Sequence, residues 1–414
     1  MKRQLIFCSN FINFIDEIKT DKEIKDIRKK LGIKENKFVV LGAGQIQNRK
    51  GVIDFVEVAK KLPKIDFIWA GGFSFGGITD GHHDLKKIMA EKPSRFTEGH
   101  RMCAGCGAPV VGRMVMRALK PEDHAVVANA TGCMEVSTFI YPYTAWTDSF
   151  IHTAFENAGA TCSGAEAAYK ALKKQGKLPQ DKDTKFIAFG GDGGTYDIGL
   201  QSLSGAMERG HDMVYVCYDN GAYMNTGIQR SSATPKFADT TTSPAGKVTP
   251  GKMQVRKDLA KVMVGHHIPY VAQTLAMNNF KDLYEKAEKA IYTEGPAFLN
   301  VMAPCPRGWG YPTEDLMKIN KLAADTCYWP LYEVVDGKYH ITYKPAKKLP
   351  VEEFLRPQKR FKHMFKPGNE WMIQEFQRVV DERWQELLDL EEITNRDARK
   401  KSGIIGANIR KTYI

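Results

Sequence analysis

Apolar and polar positions switch between two periods along this chain, and the switches outline three blocks. In the first, the apolar run KFVVLGAG (37–44) is followed by GVIDFVEVAKKL (51–62), whose apolar residues recur at helical spacing, and then by a second apolar run, IDFIWAGG (65–72). Strand, helix and strand separated by Gly-rich turns predict a parallel βαβ unit, so residues 1–92 are expected to form a partial Rossmann-like fragment. The second block, 93–315, alternates short apolar runs, helical patterns and glycine turns, which predicts an α/β fold with a mostly parallel sheet flanked by helices. Within it Phe186–Phe189 and Met213–Tyr218 are expected strands on either side of a helix over Tyr196–Met207, and AFLNVM (297–302) is another strand. The third block, 316–414, contains EWMIQEFQRVVDERWQELLDLEE (370–392), an amphipathic helix expected to pack on the core or on another subunit, and ends in a polar tail without a functional reading.

A chain of 414 residues exceeds the usual single-domain size, which supports the division into blocks. Hydrophobic residues make up 43% and charged residues 26%, a balance that excludes a disordered chain. Ser9, Asn10 and Asn13 interrupt the apolar start and no small-residue cleavage site follows, so no signal peptide is expected. Nor is there an apolar run of the roughly 18 residues that a membrane span needs, so the expected location is cytoplasmic, with no membrane partner. The net charge of +12 is concentrated in part between Lys344 and Lys366, where Lys347, Lys348, Arg356, Lys359, Arg360 and Lys362 meet only Glu352 and Glu353. That stretch reads as a solvated basic face, with a docking patch as the alternative, and no nucleic-acid partner is expected.

The chemistry lies in the second block. In a βαβ unit both strands point the same way, so Asp192 after the first and Asn220 after the second emerge together at the carboxyl edge, where open α/β sheets bind ligands. Magnesium diphosphate needs hard oxygen ligands for the metal and backbone N–H groups for the phosphates. Asp192 and Asn220 supply the oxygens, while Gly190, Gly191, Gly193 and Gly194 leave the backbone open to phosphate. GDG followed by DN at this distance is the fingerprint of thiamine-diphosphate binding; the competing reading is the glycine turn of another nucleotide fold. Of the eight cysteines, Cys103 and Cys106 form CAGC, Cys133 lies in NATGCME and Cys305 in APCPRGW. Four thiolates suit zinc or an iron–sulfur cluster equally, and spacing does not choose between them. Cys8, Cys162, Cys217 and Cys327 read as ordinary free cysteines, and His100 as a satisfied loop histidine.

The loop AYMNTGIQRSSATP, the segments YPTEDLMKINKLAADTCYWPLYEV and PVEEFLRPQKRFKHM, and the surrounding stretch 95–392 resemble the thiamine-diphosphate and iron–sulfur subunit of 2-oxoacid:ferredoxin oxidoreductases, in its pyruvate type. The resemblance implies that Asp192, Asn220 and the Ala222 carbonyl hold magnesium. It also implies that Gly191, Gly193, Gly194, Asn225 and Cys133 line the cofactor, with Asn225 and Thr226 near its reactive end. By the same resemblance Cys103, Cys106, Cys133 and Cys305 hold a 4Fe-4S cluster. The implied reaction converts pyruvate and coenzyme A to acetyl-CoA and carbon dioxide and passes the electrons to ferredoxin. An alpha subunit, expected to supply the carboxylate at the aminopyrimidine, and a further cluster-carrying subunit are implied partners. Gly221 departs from the family pattern, which has an acidic residue there. In the first block, GAGQIQNRKGV resembles the sugar-nucleotide half of GT-B glycosyltransferases at Gly44 and Lys50, but no E-x7-E pair follows, so a catalytically empty fragment is expected. The alternatives are a 2-oxoisovalerate-type subunit, a glycosyltransferase acting through the first block, and a zinc-stabilised binding protein with a degenerate thiamine fold.

Overall fold

The computed structural model describes residues 39–43, 66–70 and 92–400, apart from 98, 141, 182 and 278, with side chains from Lys92 to Arg396. Two compact units divide the chain, Met1–Thr79 and Asp80–Ile414. In the first, β1 (Val39–Ala43) and β2 (Asp66–Ala70) pair in parallel with Val39 opposite Asp66. Cys8, Gly44, Lys50, the helix expected over 51–62 and the tail beyond residue 400 lie outside the described residues.

The second unit is built on one eight-stranded sheet. Its strands are β3 (His124–Ala130), β6 (Ser149–Thr153), β7 (Thr184–Gly191), β8 (Val214–Asp219), β9 (Tyr270–Leu275), β10 (Ala297–Met302), β11 (Leu331–Val335) and β12 (Lys338–Tyr343). A separate two-stranded hairpin joins β4 (Phe139–Ile140) to β5 (Tyr143–Thr144). The order across the large sheet is β12-β11-β9-β10-β8-β7-β3-β6. From β9 to β6 every pairing is parallel, and β11 and β12 add an antiparallel edge. Residues after 315 therefore complete the same sheet, and the helix Glu370–Lys400 packs along β12.

The pattern of this sheet follows from its burial. β8, β9 and β10 are buried at every position, so they read as continuous apolar runs without alternation, as parallel strands covered on both faces do. The helix Ala158–Lys174 packs against Leu200–Glu208, and Ala108–Ala118 against Phe280–Tyr292. Tyr215 and Phe298, from adjacent strands, stack with ring centroids 6.2 Å apart. Burying an aromatic ring of this size contributes on the order of 1.5–3 kcal/mol. Among the described residues no helix is long and apolar enough to cross a membrane.

One expected element differs. The helix predicted over 196–207 is instead a π-helical turn, Gly193–Ile198, followed by an α-helix, Leu200–Glu208. Gly199 stands at the junction, where a Cβ would lie 2.1 Å from the Gly194 carbonyl oxygen, and Thr195 Oγ1 donates back to the Gly191 carbonyl at 2.7 Å. The wide turn follows β7 directly and starts at the foot of the candidate site; π turns of this kind are frequent at functional positions.

Candidate cofactor and metal site

Because β10, β8, β7 and β3 are spatial neighbours and run parallel, their carboxyl ends open onto one edge. Cys305 follows β10, Asn220 follows β8, Asp192 follows β7 and Cys133 follows β3. Residues far apart in sequence are thus neighbours through topology alone.

At the centre of this edge Asp192 is fully buried. Its Oδ1 accepts the Asn220 backbone N–H at 3.3 Å and its Oδ2 accepts the Ser231 hydroxyl at 2.5 Å. The Asn220 amide oxygen faces two further acceptors, Asp192 Oδ1 and the Ala222 carbonyl oxygen; with the amide turned over, its nitrogen would donate to them at 2.9 and 2.8 Å. In that orientation the amide nitrogen satisfies both acceptors; in the other, the amide oxygen joins the Asp192 carboxylate and the Ala222 carbonyl as a third hard donor available to a cation. An octahedral magnesium with ligands at 2.0–2.1 Å sets neighbouring oxygens about 2.9 Å apart, which matches the spacing found here. Burial, and then the charge of Asp219, push the Asp192 carboxyl well above the ordinary carboxylate range, against the opposing pull of the Ser231 hydrogen bond and the Arg256 charge. Asp219 itself is paired with Arg256 at 2.6 Å.

The glycines have a packing reason beside the one expected of them. A Cβ on Gly193 would lie 2.3 Å from the Tyr223 ring, one on Gly190 2.4 Å from the Tyr215 hydroxyl, and one on Gly194 2.9 Å from the Phe155 carbonyl oxygen. The loop that begins at Ala222 thus closes over the π turn. Tyr223 N–H donates to the Gln229 carbonyl at 2.9 Å, which folds that loop back on itself. Asn225 and Thr226 are exposed at its tip, where Thr226 Oγ1 donates to Gln229 Oε1 at 2.6 Å.

Beside the oxygens lie the cysteines. CAGC forms a tight turn, with Cys106 N–H donating to the Cys103 carbonyl at 3.2 Å and Gly105 at φ 71°. Gly107 N–H donates to the Pro304 carbonyl at 3.0 Å, which ties this turn to the Cys305 segment. Cys305 Sγ accepts the Gly308 N–H at 3.3 Å and so caps the turn Pro306–Trp309. Burial first, and then the neighbouring thiols, push the Cys106 thiol upward and the Cys133 thiol up to about 12, while burial raises that of Cys305. These electrostatic couplings connect all four cysteines. Yet among the described residues no three His, Cys, Asp or Glu side chains are close enough to hold a single metal ion. Cys162, Cys217 and Cys327 are buried free thiols. The His100 ring lies 5.3 Å from that of Phe96.

The two groups are mechanically joined. Trp309 Nε1 donates to the Asn220 carbonyl at 2.6 Å, and a Cβ on Gly308 would lie 2.1 Å from Met224 Sδ, so the cysteine turn supports the start of the loop over Asp192. Sequence reasoning missed Ser231, Trp309 and Arg360. The first two stand inside stretches it singled out, RSSATP and APCPRGW, but nothing in a hydroxyl or an indole marks it as a support. Arg360 was expected on a solvated face and is 5% exposed, whereas Lys344 and Lys348 of the same stretch pair with Glu391 and Asp381 of the long helix.

Residues 130–301 match the family model described as thiamine pyrophosphate enzyme, C-terminal TPP binding domain. The chain is 52% identical over 316 residues to pyruvate synthase subunit PorB of Thermotoga maritima, covering 75% of this chain and 97% of that protein. It is 52% identical over 289 residues to the PorB subunit of Methanocaldococcus jannaschii, covering 70% and 94%. Ketoisovalerate oxidoreductase subunit VorB of Pyrococcus furiosus is 41% identical over 310 residues, covering 74% and 97%.

Proposed function

Since the chain belongs to the PorB subunits of pyruvate synthase, within the 2-oxoacid:ferredoxin oxidoreductases, we propose that the carboxyl edge of its sheet binds magnesium thiamine diphosphate beside a 4Fe-4S cluster. The observation that carries this reading is the convergence of the Asp192 carboxyl, the Asn220 side-chain amide and the Ala222 carbonyl on one buried edge of the sheet, within the segment that matches the thiamine pyrophosphate-binding family model. Asp192, Asn220 and the Ala222 carbonyl would hold the magnesium. Gly191, Gly193 and Gly194 would offer the backbone of the π turn to the diphosphate, and Ser231 holds Asp192 in orientation. Asn225 and Thr226 are assigned to the substrate side, and Cys133 to the wall shared by the two groups. When bound, thiamine diphosphate supplies the nucleophile and the electron sink for decarboxylating a 2-oxoacid. The chain's own residues fix the charge at the diphosphate end and exclude water by folding the loop from Ala222 to Gln229 over it.

Cys103, Cys106, Cys133 and Cys305 are proposed to hold the cluster. Tetrahedral zinc, with Zn–S bonds of about 2.3 Å, draws its thiolates to within about 4 Å of one another. A cuboidal cluster carries one thiolate at each iron corner and keeps them farther apart. What favours the cluster over zinc is the company of the thiols: a thiamine enzyme that delivers electrons to ferredoxin needs a one-electron acceptor beside its cofactor, and the chain belongs to such a family. When bound, the cluster would accept electrons for ferredoxin; onward transfer calls for a further cluster-carrying subunit, and an alpha subunit would supply the carboxylate at the aminopyrimidine. Support for a partner at this end is the exposed apolar hairpin beside Cys133, with Phe139, Ile140 and a 74% exposed Tyr143. Greater identity to PorB than to VorB favours pyruvate, with coenzyme A, over 2-oxoisovalerate.

The test is anaerobic purification of the complex. Thiamine, magnesium, iron and sulfide should be bound, with coenzyme A-dependent ferredoxin reduction faster on pyruvate than on 2-oxoisovalerate. A colourless, zinc-loaded complex would overturn the cluster, and preference for the branched acid would overturn the substrate.

A further inference from the structure

A buried cation stands beside the Cys305 turn without a carboxylate. Arg360 is 5% exposed, and among the described residues no Asp or Glu lies within ion-pairing distance of it. Its Nε donates to Gln358 Oε1 at 2.8 Å, and its Nη2 has no partner. The guanidinium lies over the Trp309 ring at 3.9 Å and over the Phe361 ring at 4.9 Å. Trp309 is the last residue of the turn that Cys305 caps, and the charges of Arg360 and Cys305 act on each other. On the opposite side a Cβ on Gly221 would lie 3.2 Å from Arg360 Nη1. Glycine at 221 places no side chain beside the guanidinium.

Stacking on two rings explains how the group packs but not why it is charged. An apolar or amide side chain would fill the space without the desolvation penalty of an unpaired guanidinium. An anion nearby would offset that penalty; the Asp219 charge acts on Arg360 but is already paired with Arg256, which leaves the thiolates of a loaded cluster, Cys305 first, as its counter-charge.

We propose that Arg360 is the buried counter-charge of the iron–sulfur cluster, favouring its reduced form and raising its reduction potential. The inference rests on the cluster reading above. Reduction adds one electron and no proton, so the cluster with its four thiolates becomes more negative by one charge; the electron comes from the decarboxylated substrate in turnover and from dithionite in a titration. A fixed positive charge stabilises that product more than the oxidised form. Arg360 touches neither substrate nor the reacting atoms, and acts only through the field at the cluster.

The experiment is an anaerobic redox titration of the whole complex, followed by electron paramagnetic resonance of the PorB cluster. Arg360→Gln should lower the midpoint by about tenfold in the one-electron equilibrium, ~59 mV, while Arg360→Lys stays near wild type. Gly221→Asp leaves the guanidinium in place and sets a carboxylate beside it, at a φ of 74° that Asp tolerates better than most residues, and should shift the midpoint the same way. This variant keeps the inference open to test should Arg360→Gln fail to assemble. An unchanged midpoint in Arg360→Gln with full cluster occupancy would overturn the proposal, as would an equal fall in Arg360→Lys, which would assign the effect to packing. Absence of any cluster signal from wild type would overturn the cluster reading itself, a result distinct from an unchanged midpoint.

Discussion

Replacing Asp192 with asparagine keeps the shape of a fully buried side chain and removes its charge, which separates metal binding from folding. Without cofactor, burial and the neighbouring Asp219 raise the carboxyl above its unfolded value. A group shifted in that direction contributes stability below the ordinary carboxylate range and loses it as pH rises through the raised value. At neutral pH the cofactor-free Asp192→Asn protein should therefore be at least as stable as wild type. With magnesium thiamine diphosphate the order reverses. Ligand at 100 times its dissociation constant stabilises wild type by about 2.7 kcal/mol. In a unit of this size that is on the order of 5 °C in melting temperature. Loss of a charged ligand interaction worth about 3 kcal/mol weakens binding more than 100-fold, so the variant should gain almost nothing from the same addition. Melting curves of the complex with and without magnesium thiamine diphosphate, at two pH values, together with bound thiamine by fluorescence, give the comparison. Equal thermal gains and full thiamine content in Asp192→Asn would refute the placement of the metal at this carboxylate.

Cys305→Ser should keep thiamine diphosphate, because the oxygen ligands stay in place, and lose or oxygen-sensitise the cluster; iron analysis and the reduced-state resonance spectrum are the measurements, and a normal cluster signal refutes the assignment. Gly193→Ala sets a Cβ against the Tyr223 ring, where it has 2.3 Å, so the loop must move; overpacking of this kind costs about 1–3 kcal/mol, and thiamine retention should fall with little change in iron content. A chain beginning at Asp80, the start of the second compact unit, should assemble with its partners and retain pyruvate oxidation. Soluble but inactive protein would show that the first block has a role of its own.

What the sequence made legible follows from where each signal resides. The strands were readable because a parallel sheet buried on both faces needs unbroken apolar runs: AFLNVM corresponds to β10 end for end. Asp192 and Asn220 could be gathered onto one edge in advance because strand direction alone brings them there, whereas Cys133 and Cys305 were joined to them only by the family resemblance. The order β10-β8-β7-β3, which makes those ends neighbours, is tertiary information and left no local trace. The π turn was missed because its geometry brings Gly199 against the Gly194 carbonyl, where only a glycine fits, and a glycine in a helical pattern reads as a weak helix position. Arg360 is the sharpest case. Among lysines and arginines at polar spacing it has the pattern of a solvent-facing residue, and only the fold reveals that Trp309 and Phe361 cover it. The same argument explains Gly221: read alone it loosens a loop, but read against the Nη1 that its Cβ would approach it leaves a buried positive charge unneutralised beside the cysteines. The glycine therefore gained its meaning only once the residue facing it was known.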